Sequence, residues 1–412
     1  MPRADIVVYN IGELVTFMDG PLARVSEERA GIVREAGVAI RSGRIIDVGP
    51  SGRIRSSYDA ETSINAEDRL ATPGLVDPHT HPVFDGSRED ELTLKVQGVP
   101  YSEILRRGGG IYRTVRRTVS ASTSRLLELL LERLELMLRA GTTTVEVKTG
   151  YGLDLDEELR HLEVVRAAFG KARQLVVPTL LAHVPPQGAD ARAYAREFAS
   201  TLVPEAASRG LATYVDVFCD RGAFGVEESR LILEAGLRSG LRARIHADQL
   251  AYIGCSEMAA GLGVDSMDHL ERMPPENAKL LASRGIVAVL TPTSILSMID
   301  SPRPPVEALR EAGVFIALAS DYNPNNMTPL VQTALQLAPY VLGLTQLEAL
   351  AASTVNAARS LGLDNVVGRI APGMRADIVV WDAENHKWLG YYWGFDLSLK
   401  VVAGGEIVKD SE

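Results

Sequence analysis

Cysteine is nearly missing from these 412 residues, which hold only Cys219 and Cys255. Two thiols cannot build a disulfide framework, and a reducing cytoplasm is the simplest setting for them. No window offers the roughly 18 consecutive apolar residues of a membrane span. The opening MPRADIVVYN lacks a basic segment followed by an apolar stretch and a cleavage site. A soluble, unexported chain is expected. Long lysine or arginine runs are absent as well, and the formal net charge is −10. Nothing is set up to grip a phosphate backbone, which excludes nucleic acid as a partner. An anionic small molecule would instead need a local cation inside an acidic protein. No G-x-G-x-x-G turn follows the first barrel-type strand, so a dinucleotide fold is not indicated. The glycines at 108–110, close to Pro100 and Tyr101, read as a mobile loop over a pocket mouth.

What the sequence does have is 46% hydrophobic residues and two distinct rhythms. Near both ends, short apolar runs alternate with glycine turns: ADIVVYN (4–10), VAIRSGRIIDVG (38–49), ADIVVWD (376–382) and VVAGGEIV (401–408). These read as β-strands, with a hairpin turn at Ser42 and Gly43. Residues 1–70 and 360–412 are expected to form one small β-sandwich domain together. Between them, eight strand-like runs alternate with amphipathic helices: 71–81, 142–150, 174–183, 213–220, 242–249, 264–271, 285–292 and 314–321. Eight β-α units predict an α/β fold, a closed (β/α)₈ TIM barrel over 71–359, rather than an open doubly wound sheet.

Of seven histidines, five fall at or near the C-terminal ends of these runs: His79, His81, His183, His246 and His269. That end is the catalytic face of such a barrel. His161 and His386 read as surface residues. His79 and His81 form an H-x-H pair that strand alternation turns to one side, so both imidazoles can meet one ion. His246 adds a third nitrogen, and Asp321, on the last strand and therefore beside the first, adds a carboxylate. A divalent ion in such a site would lower the pKa of a water towards about 7 and generate hydroxide, which points to hydrolysis. Asp321 could carry the water's proton to a leaving nitrogen. His269 is either a further ligand or the group that orients the water and steadies an oxyanion; the second role is preferred.

The segments PGLVDPHTHPVFDGSREDE (73–91), TTTVEVKTGYGLD (142–154), VDVFCDRGAF (215–224), IHADQL (245–250), DHLE (268–271) and DYNP (321–324) resemble the imidazolonepropionases of the amidohydrolase superfamily. The resemblance runs the length of the chain. It implies hydrolysis of the cyclic amide of 4-imidazolone-5-propanoate to N-formimidoyl-L-glutamate, a step of histidine degradation, in a cytoplasmic homodimer with one zinc or iron per chain. It implies His79, His81, His246 and Asp321 as ligands and His269 as the catalytic histidine. Arg88 would hold the propionate, a task suited to a bidentate guanidinium. Tyr101, Tyr151, His183, Gln249 and Asn323 would contact the substrate. Gln249 also joins the catalytic set, standing where many related deaminases carry glutamate; an amide cannot trade protons, so that work falls on Asp321 and His269. Binuclear relatives carry a bridging lysine at the end of strand four. Here VFCD ends that strand, so one metal is expected, and Lys148 with Glu146 reads as an internal ion pair. The loop LAHVPPQG (181–188) departs from the family pattern just after His183. Another mononuclear deaminase or cyclic amidase acting on a small heterocycle is the alternative, and a barrel that binds without turnover a more distant one.

Overall fold

The alternation of ADIVVYN carries into a long first strand, and a computed structural model, which describes residues 1–99, 101–299 and 302–411, gathers it into a sheet with both ends of the chain. Five strands come from the N-terminal side: β1 (Arg3–Val15), β2 (Ile32–Arg41), β3 (Arg44–Pro50), β4 (Asp59–Asn65) and β5 (Leu70–Pro73). Ser42 and Gly43 join β2 to β3 with φ of 52° and 73°, the left-handed conformation that a tight hairpin turn needs.

The barrel follows: β6 (Leu75–Asp77), β7 (Thr142–Lys148), β8 (Leu175–Ala182), β9 (Tyr214–Cys219), β10 (Arg242–Ala247), β11 (Ser266–His269), β12 (Val287–Leu290) and β13 (Ile316–Leu318). Each pairs in parallel with the next in chain order, and each falls within one of the eight predicted runs. Helices cover the outside, so the strands are buried on both faces and read as near-continuous apolar runs; all four residues of β12 are buried. Closure between β13 and β6 passes through the residues just beyond them. Asp321 N donates to His79 O (3.1 Å) and His81 N to Tyr322 O (2.8 Å), while Ser320 N donates to Asp77 Oδ1 (3.1 Å).

Three strands complete the first sheet: β14 (Ile378–Trp381), β15 (Ser398–Ala403) and β16 (Glu406–Asp410). β14 lies antiparallel to β5, giving the order β16-β15-β14-β5-β1-β2-β3 with β4 also against β1. The run VVAGGEIV is thus two strands, hinged at residues 404–405. The sheet curls until its two hairpin turns meet: Gly405 N donates to Ala376 O (3.0 Å) and Ala376 N to Gly43 O (2.9 Å). Its inward residues, Ile6, Val8, Val38, Ile40, Ile378 and Val402 among them, share one core. Residues 71–77, a single run in sequence, serve both sheets. The chain changes sheet at Gly74, where a Cβ would stand 2.2 Å from Thr143 Oγ1.

Three expectations are corrected here. Cys219 and Cys255 are joined by a disulfide with their Cα atoms 6.0 Å apart. Cys219 ends β9 and Cys255 opens the helix Cys255–Leu262 after the neighbouring β10, so the parallel pairing brings them side by side. His161 is fully buried on the inner side of the helix Leu155–Ala168. His386 is buried too, and both its backbone N–H and Nδ1–H donate to Glu13 Oε1 (2.9 and 2.7 Å). Among the described residues no helix is long and apolar enough to cross a membrane.

Candidate metal centre and pocket

All five strand-end histidines converge at the C-terminal mouth of the barrel. His79 Nε2 lies 3.2 Å from His81 Nε2, and His246 Nε2 lies 3.4 Å from the same atom. Asp321 Oδ1 stands 3.5 Å from Nε2 of both His79 and His81. The far side of two rings is occupied: His79 Nδ1–H donates to Asp268 Oδ2 (2.6 Å) and His246 Nδ1–H to Asp216 Oδ2 (3.0 Å). With the proton on Nδ1, Nε2 carries only a lone pair, so His79 and His246 present bare acceptors to a common point. Two such acceptors facing one point can be bridged by a cation. Two ligands placed tetrahedrally about 2.0–2.1 Å from an ion stand about 3.3–3.4 Å apart, close to the separations of His81 from His79, His246 and Asp321; His79, His81 and His246 form one group able to hold an ion, and Asp321 joins His79 and His269 in a second. The donor set of three imidazoles and one carboxylate fits zinc or iron.

Electrostatics agree with the geometry. Burial lowers the His79 and His183 rings well below the usual histidine range and takes His81 down to about 4, so all three are neutral. Burial also works against a charge on Asp321, but the His81 hydrogen bond and the nearby His269 hold its carboxyl down at about 2. His269 goes the other way: against burial, Glu271, Asp321 and Asp268 push it up to about 9. Its Nδ1 lies 3.1 Å from Thr291 Oγ1 and 3.6 Å from Glu271 Oε1. A protonated ring beside an ionised carboxylate is a donor–acceptor pair poised at one mouth. Strained backbone gathers at the same level, with φ of 54° at Asp248, 80° at His269, 70° at Leu270 and 48° at Asp321, a conformation that non-glycine residues hold only where surrounding structure enforces it.

The histidines floor a cavity of about 320 Å³. Its walls include Arg88, Tyr151, His183, Gln249 and Asn323, so every sequence-predicted substrate contact whose side chain is described reaches it. Tyr101 starts the helix Tyr101–Arg106, and its side chain lies outside the described residues. Arg88 is buried, with Nε 3.4 Å from Glu91 Oε2; Glu91 in turn accepts the Gly110 N–H (2.7 Å), which fastens the chain just before the lining residues Ile111 and Tyr112. His183 Nδ1–H donates to Gly150 O (3.2 Å) and the ring stacks against His81, so the altered loop after it leaves it in the pocket. Asn323 has its amide N–H directed to Asp321 O and Oδ1 (2.8 and 3.0 Å), bracing that carboxylate. Sequence reasoning missed Arg221, Met298 and Asn325, which also line the cavity. It also left Asp216, Arg244 and Asp268 unassigned, although a charged residue inside an apolar strand run such as YVDVFC is itself a signal.

Fold and histidine cluster together define a hydrolase barrel with a site able to hold a metal ion. The family model described as "Amidohydrolase family" matches residues 70–408. An imidazolonepropionase from Pyrobaculum arsenaticum is 46% identical over 97% of this chain and 99% of its own, and one from Geobacillus thermodenitrificans 40% identical over 94% and 93%. Among solved structures, an adenosine deaminase from Xanthomonas campestris with bound zinc superposes with a TM-score of 0.75 at 20% identity, covering 100% of this chain and 94% of its own. The chain belongs to the amidohydrolase family, and within it to the imidazolonepropionases.

Proposed function

We propose that the protein hydrolyses the cyclic amide of 4-imidazolone-5-propanoate to N-formimidoyl-L-glutamate, using one zinc or iron ion per chain held by His79, His81, His246 and Asp321. The observation that carries this reading is the convergence of imidazole lone pairs and a carboxylate beneath a pocket whose wall holds the buried Arg88. An ion bound there supplies Lewis acidity, polarising a carbonyl and acidifying water. Arg88 pairs with the propionate and fixes which way the ring enters. Gln249, Tyr151 and His183 orient the ring, Gln249 through an amide that can meet its carbonyl or N–H. His269, protonated at neutral pH, donates to the carbonyl oxygen as negative charge grows there. Asp321, ionised, accepts the proton of the attacking water. When the ring C–N bond breaks, Asp321 returns that proton to the departing nitrogen, and the carbonyl carbon becomes the product's carboxyl group, whose remaining water-derived proton is released to solvent. The same reading carries a homodimer working in the cytoplasm.

The test follows loss of the ring's ultraviolet absorbance in freshly made 4-imidazolone-5-propanoate, corrected for spontaneous decay, with metal-replete protein. Fast loss is expected, and Asp321→Asn should slow it by about 10²–10⁴-fold. Loss no faster than background would overturn the substrate assignment and leave other cyclic amides as candidates.

A further inference from the structure

Beneath the ligand histidines lies a charged cluster that the reaction itself does not touch. Glu146 and Lys148 come from β7, Asp216 from β9, Arg244 from β10 and Asp268 from β11, and none is exposed. Charges so buried are strongly unfavourable unless paired and hydrogen-bonded. Lys148 Nζ donates to Glu146 Oε1 (2.8 Å) and Asp216 Oδ2 (2.7 Å). Arg244 donates to Asp268 Oδ2 (2.8 Å), and its Nη1 stands 3.7 Å from Glu146 Oε1. Asp216 and Asp268 are the same carboxylates that hold the Nδ1–H groups of His246 and His79. Glu146 Oε2 accepts the N–H of Thr80, the peptide between His79 and His81, at 3.2 Å, and its carbonyl accepts Thr80 Oγ1 at 2.5 Å. All three ligand histidines therefore lead back to Glu146.

An apolar core would stabilise the barrel as well as these ion pairs do, yet two of the cluster's carboxylates each hold a histidine ring and a third holds the backbone between His79 and His81. We propose that Glu146, held between Lys148 and Arg244, is a positioning residue for metal binding. It locks the carboxylates that keep His79 and His246 in the Nδ1–H tautomer, and it fixes the H-x-H backbone, so the Nε2 lone pairs are aimed before an ion arrives. Groups that orient metal ligands commonly change affinity about 10–100-fold when altered. The proposal rests on the metal-site reading above.

Two measurements test it. In the metal-free wild type with ¹⁵N-labelled histidine, long-range nitrogen–proton spectra should show His79 and His246 each as a single Nδ1–H tautomer; a mixture would overturn the idea. Arg244→Lys keeps every charge but cannot hold Asp268 through two N–H groups while a third nitrogen faces Glu146. Its zinc affinity, measured by chelator competition, should fall about 10–100-fold, and the visible spectrum of the cobalt-loaded protein should shift. A lower melting temperature with unchanged affinity and spectrum would mean a structural role only. If Arg244→Lys does not fold, Glu146→Gln applies the same readouts, because its amide must turn an N–H towards either Lys148 or Thr80. Failure of the wild type to take up any ion would sink the metal reading itself, a result separate from the ratio between variant and wild type.

Discussion

Arg88 shows how much one side chain can be asked to do in a protein of net charge −10. It is buried at the pocket wall, and among the described residues its one ion pair is a loose contact with Glu91, so its guanidinium has donors to spare for an anion. Removing a charge-assisted hydrogen bond costs about 1.5–3 kcal/mol. Arg88→Gln should therefore raise KM for the propionate substrate by about 10–100-fold while kcat changes less; an unchanged KM would place the carboxylate elsewhere. His161 makes a separate prediction, remote from the pocket. Burial holds its ring down to about 3, and neither ring nitrogen has a hydrogen-bond partner among the described residues. An unfolded histidine takes its proton near about 6.5. The unfolded chain thus binds more protons between those values, so this contribution is complete above about 6.5 and is lost as pH falls towards 3, by about 5 kcal/mol in all. His161→Met should flatten the fall of stability between pH 7 and pH 4.5 in urea titrations, and parallel slopes would refute it. The contrast with the strand-end histidines explains what could be read in advance. Those five were legible because position on a parallel strand fixes which end of the barrel a residue faces. His161 was hidden by charged neighbours in DEELRHLEVV, and His386 by a partner, Glu13, 373 residues away in sequence.

At the scale of elements, the disulfide joins the end of β9 to the helix after β10 and closes a 36-residue separation. A cross-link over that span restricts the unfolded chain by about 4 kcal/mol. Reduction by dithiothreitol, or Cys219→Ser, should lower the melting temperature by several degrees in calorimetry without loss of bound metal, since neither cysteine belongs to the groups of described residues that could hold an ion. No change on reduction would show that the bond adds nothing to stability. Strand count and order were legible here, since all eight barrel strands fall inside apolar runs. The split at Gly74 was not, because it is dictated by the close approach of Thr143, a contact that no local pattern contains. Spacing gave no hint of the disulfide either: two cysteines are uninformative until β9 and β10 are known to be neighbours.

The molecule as a whole is two sheets sharing one chain, and the proposed ligands come from the residues just after β6, from β10 and from just beyond β13. An ion bound to the folded state alone stabilises it by about 2.7 kcal/mol at a hundredfold excess over Kd. Dialysis against a strong chelator should abolish activity and lower the melting temperature, and one equivalent of zinc or iron per chain should restore both; recovery without metal would exclude the proposed centre. The barrel class was legible from rhythm alone, whereas the curling of the terminal sheet onto itself was not, since it depends on two glycine turns meeting across 330 residues or more of sequence. The closure of β13 on β6 also sets an order of events. Asp321 N reaches His79 O, and His81 N reaches Tyr322 O, so the first and last barrel strands are joined by the very residues that would grip the ion. A growing chain has its H-x-H pair almost from the outset but cannot complete the cage until residue 321 has been made, and β5 waits for β14 still longer. On the proposed ligand set, metal capture would be a late step in the biogenesis of this protein, after the barrel has been wound round to its starting point.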